Sequence, residues 1–213
     1  MMKLYTFFRS SAAFRVRIAM NYKGLPYEPV LISLPRRDHL SADYTSVNPQ
    51  ALLPTLDDGG NLMAQSLAIM EYLEETHPQP RLLPEGAADR AYVRGLSQVV
   101  ACDMHPLNNL RVLRHLKAAF GAEEDKLNNW YRHWIAEGFK GLEGTLAKSG
   151  KSGRYCYRDM VTMADCCLVP QVFNAQRYEC DLSLYPLLMR IHENCMKLAP
   201  FIAAGPAKQP DAA

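Results

Sequence analysis

At His77 the sequence changes character. The run HPQPRLLPEG, His77 to Gly86, places three prolines in ten residues. It cannot continue a helix or a central strand, because proline lacks an N–H and its ring clashes with the preceding turn. Before this break, short β-prone segments alternate with helix-like ones. After it, from Ala87 onward, the periodic segments carry helical spacing and no strand stands out. Two domains are therefore expected: a mixed α/β domain over residues 1–80 and an all-helical domain over 87–213, joined by a linker at 81–86.

Within the first part, Lys3 to Phe8 (KLYTFF) reads as a strand, and Ser10-Ser11 open an apolar helix that stops at Lys23-Gly24. Tyr27 to Leu34 reads as a second strand, kept to an edge or a strand start by Pro29. Leu40 to Val47 carries a weak helical signal. Asp57-Asp58-Gly59-Gly60 between Thr55-Leu56 and Leu62-Met63 has hairpin chemistry, since such turns need residues that tolerate positive φ. Ser66 then starts a helix that Pro78 ends. In the second part the helical candidates are Asp89–Phe120, Ala122–Lys148, Thr162–Tyr178 and Leu184–Leu198, and the tail GPAKQPDAA is expected to be loosely held.

Composition narrows the function classes. A formal charge of +2 over 213 residues, with no Lys/Arg run, gives no electrostatic footprint for nucleic acid. No apolar stretch approaches the roughly 20 residues of a membrane span, and MMKLYTFFRSS lacks the apolar core of a signal peptide. A cytoplasmic protein with no membrane or nucleic-acid partner is expected. Its six cysteines contain no CxxC pair, so reduced, mostly buried thiols are expected and no metal site.

Three places could carry chemistry. The first is FFRSSAAFRVRIAM, Phe7 to Met20, where two serines stand at a helix start. Exposed amides and the helix dipole there can be capped by a serine or can receive an anion, and the residues alone leave both readings open. Arg15 and Arg17 lie about 200° apart around a helix and are expected to serve structure rather than one common site. The second place is Asn48 to Leu56 (NPQALLPTL). On the residues alone Pro54 is expected to be trans, since only about 5–6% of X–Pro bonds are cis. The third is Gln65-Ser66, a second polar helix start. Two such starts in one small domain suit a ligand with charged ends. Thr162 and Asp165 have capping-box spacing and are read as structural.

The stretch SSAAFRVRIAM resembles the SSCxWRVRIAL signature of zeta-class glutathione transferases, the family of maleylacetoacetate isomerases. NPQALLPTL, QSLAIMEYLEETHP, RLLP, HPLNNLRVL, VTMADCCLVPQVFNAQRY and DLSLYP follow in family order, so the likeness runs from about Met2 to Asp211. It implies a thioredoxin-like glutathione-binding domain, an all-α C-terminal domain, a homodimer, glutathione as cofactor and a cis peptide at Pro54. Ser10 and Ser11 match the glutathione-contacting and catalytic serines, while Ala12 stands where many members have cysteine, which rules out cysteine chemistry at that position. Leu53, Gln65 and Ser66 match residues that hold the glutathione backbone and its γ-glutamyl carboxylate; His39 and Gln50 match further contacts. Asp103, His105, Asn109 and Arg111 match a stretch reaching glutathione or substrate, and Arg177 matches the substrate-carboxylate arginine.

By the same resemblance the reaction is conversion of maleylacetoacetate to fumarylacetoacetate in aromatic catabolism, by reversible addition of the glutathione thiol across a cis double bond. Negative charge then moves onto the conjugated carbonyl, for which Arg9, Arg111 and Arg177 are the candidate partners. The alternative of the same kind is maleylpyruvate, the shorter diacid of the gentisate route, and one sequence does not separate the two. Ranked below both are a general glutathione transferase and a non-catalytic glutathione-binding protein. A glutaredoxin-like enzyme is disfavoured by the lack of an N-terminal cysteine.

Overall fold

In the computed structural model, which describes residues 1–212, the first strand β1 (Met2–Thr6) alternates buried Met2, Leu4 and Thr6 with more open Lys3 and Tyr5. This is the period of a strand with one covered face. It pairs in parallel with β2 (Tyr27–Leu31) and antiparallel with β3 (Thr55–Asp58), which pairs antiparallel with β4 (Asn61–Ala64), giving the order β2-β1-β3-β4. The hairpin turns at Gly59 and Gly60, with φ of 61° and 94°, values that exclude most side chains. Both expected strand ends are shortened: β1 stops at Thr6 rather than Phe8 and β2 at Leu31 rather than Leu34. The carbonyls of Phe7 and Phe8 turn away from the sheet toward the Arg17 guanidinium.

Helix α1 (Ser11–Tyr22) is buried at every residue from Ser11 to Met20, because it lies among the sheet, α3 (Ser66–Thr76) and α9 (Ala199–Ala204). A short α2 (Ala42–Val47) falls where the weak signal stood, capped by Ser41, whose Oγ accepts from the Tyr44 amide. Three cations from α1 and its C-cap are interred and bonded to neighbouring groups. Arg17 donates to the Ala204 carbonyl at 3.0 Å, to Thr6 Oγ1 at 3.0 Å, and to the carbonyls of Phe7 at 3.3 Å and Phe8 at 3.0 Å. Arg15 donates to Ser66 Oγ at 3.1 Å. Lys23 spends all three N–H donors, on Glu74 at 2.7 Å and on the carbonyls of His77 at 2.7 Å and Pro80 at 2.9 Å.

The chain divides into two units, one of Met1–Leu82 with the segment from Met196 onward, the other of Leu83–Cys195. This departs from the expected boundaries. The start of the supposed linker is tied down, since the Leu82 amide donates to Glu74 at 2.9 Å. The C-terminal segment belongs with the sheet rather than with the helices. Leu184–Leu198 is accordingly not one helix: α8 (Pro186–Cys195) ends where the chain changes units, and α9 starts at Ala199. The tail is held as well. Pro206 is buried, and Asp211 accepts the Phe8 amide at 2.9 Å.

The helical unit contains α4 (Ala87–Gln98), α5 (Leu110–Phe120), α6 (Glu124–Ser149), α7 (Met163–Arg177) and α8. The expected helix over 89–120 is broken. After α4 the chain makes a π-helical turn, Val99–Met104, and then an irregular loop to Asn109, because Pro106 has no N–H to continue the α-helical ladder and its ring crowds the preceding turn, although His105 itself keeps helical dihedrals, φ −59° and ψ −40°. The turn sits tight on α6: a Cβ on Gly138 would lie 2.1 Å from Met104 Sδ. The capping box of α7 is present, with Asp165 accepting from Thr162 N at 2.7 Å and Oγ1 at 2.8 Å, and from Cys156 N at 2.8 Å. Burial pushes the Asp165 carboxyl up despite these donors. All six cysteines are free thiols, and among the described residues no helix is long and apolar enough to cross a membrane.

Replacing Arg17 tests how far this unit hangs on one side chain. Arg17→Ala strands two buried carbonyls, a partly buried one and a hydroxyl, so it should cost on the order of 4 kcal/mol in urea unfolding. A loss under about 1 kcal/mol would show that the fold does not depend on this network.

Candidate active site

The sheet register gathers the sequence-predicted residues of the first unit at one edge. Tyr5 of β1 lies opposite Thr55 of β3, and Thr55 lies opposite Ala64 of β4. The chain leaving β1 for Ser10, the chain entering β3 through Pro54 and the chain leaving β4 for Gln65 therefore emerge together. β2 ends there too, since Thr6 pairs with Leu31, and its exit leads to His39, buried in a single 3₁₀ turn, Asp38–Leu40.

The two serines have different tasks. Ser10 is the N-cap of α1, with φ −68° and ψ 110°, and its Oγ accepts from the Ala13 amide at 3.3 Å. A hydroxyl that accepts a cap bond keeps its own proton to donate outward. Ser11 is the first residue of the helix and is buried. Ala12 follows inside the helix, and Arg9 lies exposed before it, its guanidinium 5.1 Å from the Phe8 ring centroid.

At β3, the Leu53-Pro54 peptide is cis, as the family likeness implies and against the bare reading of the residues. The segment is bracketed by α2 and the residue after it: Asn48 Nδ2 donates to the Leu52 carbonyl at 2.9 Å and to Thr55 Oγ1 at 3.0 Å, and the Tyr44 hydroxyl lies 3.0 Å from the same Oγ1. Gln79-Pro80 is also cis, for which the sequence offered no sign.

The start of α3 is built differently from those of α1 and α2. Gln65 precedes it with φ 73° and ψ 116°, a conformation that costs a non-glycine residue roughly 1–3 kcal/mol and recurs at ligand clamps. No side chain caps this helix, whereas serines cap the other two. The first amides of α3 thus have no side-chain cap, at the positive end of the helix dipole. Gln65 Nε2 donates to Gln50 Oε1 at 2.9 Å, which joins the exposed Gln65 and Gln50. Ser66 is buried, and Arg15 of α1 supports its hydroxyl. Arg15 was expected to be merely structural, and its reach to Ser66 is the contact that sequence reasoning missed. The available signal was the pair of cations, Arg15 and Arg17, inside the otherwise apolar AAFRVRIAM.

The second unit gathers its own group. Asp103 and His105 lie on the π-helical turn and just beyond it. Asn109 caps α5, its Oδ1 accepting the Arg111 amide at 3.0 Å, and Arg111 is exposed on the first turn. Trp130 Nε1 donates to the Leu107 carbonyl at 2.9 Å, and Asn108 Nδ2 donates to the Tyr131 carbonyl at 3.4 Å, so α6 holds this loop. Arg177 ends α7 with its guanidinium 4.8 Å from the centroid of Tyr178, and Tyr178 stacks on Tyr131 at 3.7 Å. The loop and Tyr178, the ring beside Arg177, thus meet the same stretch of α6.

Residues 4–81 match the family model "Glutathione S-transferase, N-terminal domain". A probable maleylacetoacetate isomerase of Vibrio cholerae is 47% identical over 211 residues, 98% of this chain and 97% of that protein. The solved structure of a maleylpyruvate isomerase, a bacterial glutathione transferase of the zeta class, superposes with a TM-score of 0.97 at 47% identity, over 99% of this chain and all of that one. A maleylacetoacetate isomerase from Methylobacterium extorquens AM1, solved with malonate and glutathione bound, superposes with a TM-score of 0.96 at 40% identity over 99% of both chains.

Ser66→Ala and Arg15→Met should each weaken glutathione binding, on the order of tenfold, in isothermal titration calorimetry. An unchanged Kd for Arg15→Met would show that Ser66 needs no support from α1.

Proposed function

The chain belongs to the zeta class of glutathione transferases, the family of maleylacetoacetate and maleylpyruvate isomerases, and from that premise we propose that it is a glutathione-dependent cis–trans isomerase of maleyl keto-diacids, converting maleylacetoacetate to fumarylacetoacetate. The observation that carries the reading is the convergence, at one edge of the sheet, of the Ser10 cap, the Leu53-Pro54 corner and the uncapped start of α3.

The residues present suit glutathione. Its γ-glutamyl carboxylate calls for exposed amides and a hydroxyl, which the first turn of α3 and Ser66 supply. Its peptide-like backbone calls for an extended edge, which Leu53 offers ahead of β3. When bound, glutathione supplies a thiolate that adds to the cis double bond and departs after rotation, so it is regenerated. Ser10 donates its hydroxyl proton to that sulfur, and the dipole of α1 adds to the effect; both favour the ionised form near neutral pH. Ala12 cannot stand in as a nucleophile. Arg9, Arg111 and Arg177 are the guanidinium groups for the carboxylates of the substrate and for the charge that develops on its carbonyl, and all three are exposed. His39, Gln50, Asp103, His105 and Asn109 complete the proposed binding set, Asn109 through the helix cap that orients Arg111.

Maleylpyruvate is the second reading, favoured by the likeness to the maleylpyruvate isomerase structure. A cytoplasmic homodimer belongs to the same proposal. The six free thiols suit a reducing compartment, and Leu62 on the edge strand β4, 48% exposed, suits a covered surface; light scattering reads the mass.

Proton NMR of either cis substrate with and without glutathione tests the reaction, and relative rates rank the substrates. No glutathione-dependent conversion of either would overturn it. Ser10→Ala should lower kcat on the order of a hundredfold, as loss of a donor at developing charge does elsewhere, and Ser11→Ala by less than about tenfold. The reverse order would move the sulfur to Ser11.

A further inference from the structure

We infer that Tyr178 is a positioning residue for Arg177: its ring, fixed face to face on Tyr131, holds the guanidinium in the one orientation that receives a substrate carboxylate. The inference rests on the assignment of Arg177 to the substrate made above.

Arg177 ends α7 and is exposed, and among the described residues its side chain makes no hydrogen bond or ion pair. Its five N–H donors are therefore unspent and fit for a bidentate carboxylate. An exposed arginine with nothing to hold it would sample many rotamers and lose that advantage. The guanidinium lies over the face of Tyr178, at 4.8 Å from its carbon to the ring centroid, inside the range of a cation–π attraction.

The ring is itself packed and its backbone bonded. It lies 3.7 Å from Tyr131, with 10° between the planes, and Tyr131 is 5% exposed. The backbone of Tyr178 is pinned on both sides, its N–H donating to Asn174 O at 3.0 Å and its carbonyl accepting from Arg132 Nε at 2.6 Å. Arg132 also takes the neighbouring acid: its Nη2 lies 3.7 Å from Glu179 Oε2, while Glu179 turns the chain with φ 53°. The carboxylate next in sequence that could neutralise Arg177 is thereby engaged elsewhere. Because Asn108 donates to the Tyr131 carbonyl, the platform under Arg177 also anchors the loop carrying His105 and Asn109, so the guanidinium and that loop share one rigid support.

The test uses the full-length enzyme with glutathione, and maleylpyruvate as probe. Tyr178→Phe and then singly, doubly and triply fluorinated phenylalanines at this position keep the ring's shape while draining the negative charge from its face. The KM for maleylpyruvate should rise stepwise along the series, to roughly three- to tenfold, with the KM for glutathione and the melting temperature unchanged. In an Arg177→Ala background the series should be flat. A flat series in the parent enzyme, an equal rise in the glutathione KM, or the same slope without Arg177 would each overturn the inference. Arg177→Ala alone separates the two levels. If it leaves the maleylpyruvate KM unchanged, the assignment of Arg177 falls and the inference with it. If it raises that KM on the order of tenfold while the fluorinated series stays flat, only the role of Tyr178 is lost.

Discussion

The guanidinium of Arg17 is the point on which the first unit turns. Burial pulls its pKa down to about 10, so a charge still present at neutral pH stands where water does not reach, a placement that is tolerable only with its donors met. The groups that meet them are Thr6, Phe7, Phe8 and Ala204. Three of the four belong to the end of β1 and the two residues beyond, the bend that delivers Arg9 and Ser10. The geometry of the cap at Ser10 thus follows from a side chain two turns further along the same helix. Arg15 extends the arrangement from α1 to Ser66 and Lys23 carries it to Glu74, so α1 braces the sheet edge, the start of α3 and its end.

Much of this architecture was legible in the residues. The Asp-Asp-Gly-Gly hairpin, the polar helix starts at Ser10-Ser11 and Ser66, and the capping box at Thr162 and Asp165 are local devices whose chemistry is written within four residues of one another. What stayed hidden depends on partners far along the chain. Nothing local says that Arg15 meets Ser66, that Phe8 needs Asp211, or that the segment after Cys195 returns to the sheet. The helix expected over 89–120 failed for a more instructive reason: its apolar periodicity continues past Pro106 although the backbone cannot, and the resulting break carries Asp103 and His105. The candidate site shows the same division. Residue types and helix starts left capping and anion binding both open, the likeness to a family supplied the ligand, and only the folded structure distinguished the serine that caps from the serine inside the helix.

The chemistry asks little of the protein beyond placement. In the function proposed above a regenerated thiol carries the bond-making, and the chain is assigned a hydroxyl, two helix dipoles and arginines. Groups of this kind act through position rather than reactivity, and this accounts for how much of the sequence is spent on fixing them: Asn48 and Tyr44 around the entry to β3, Gln65 held at an unusual φ, and a tyrosine pair beneath Arg177.

The return of residues after Cys195 to the sheet unit has a consequence for the order of events during synthesis. A ribosome that has completed Cys195 has already made the entire helical unit, and that unit has all of its own contacts to hand. The sheet unit, begun first, still lacks the Ala204 carbonyl for Arg17, α9 to cover α1, and Asp211 for the Phe8 amide. The unit begun before the helical one is thus completed after it, and the bend that carries Ser10 gains its final anchors only once Ala204 and Asp211 have been made.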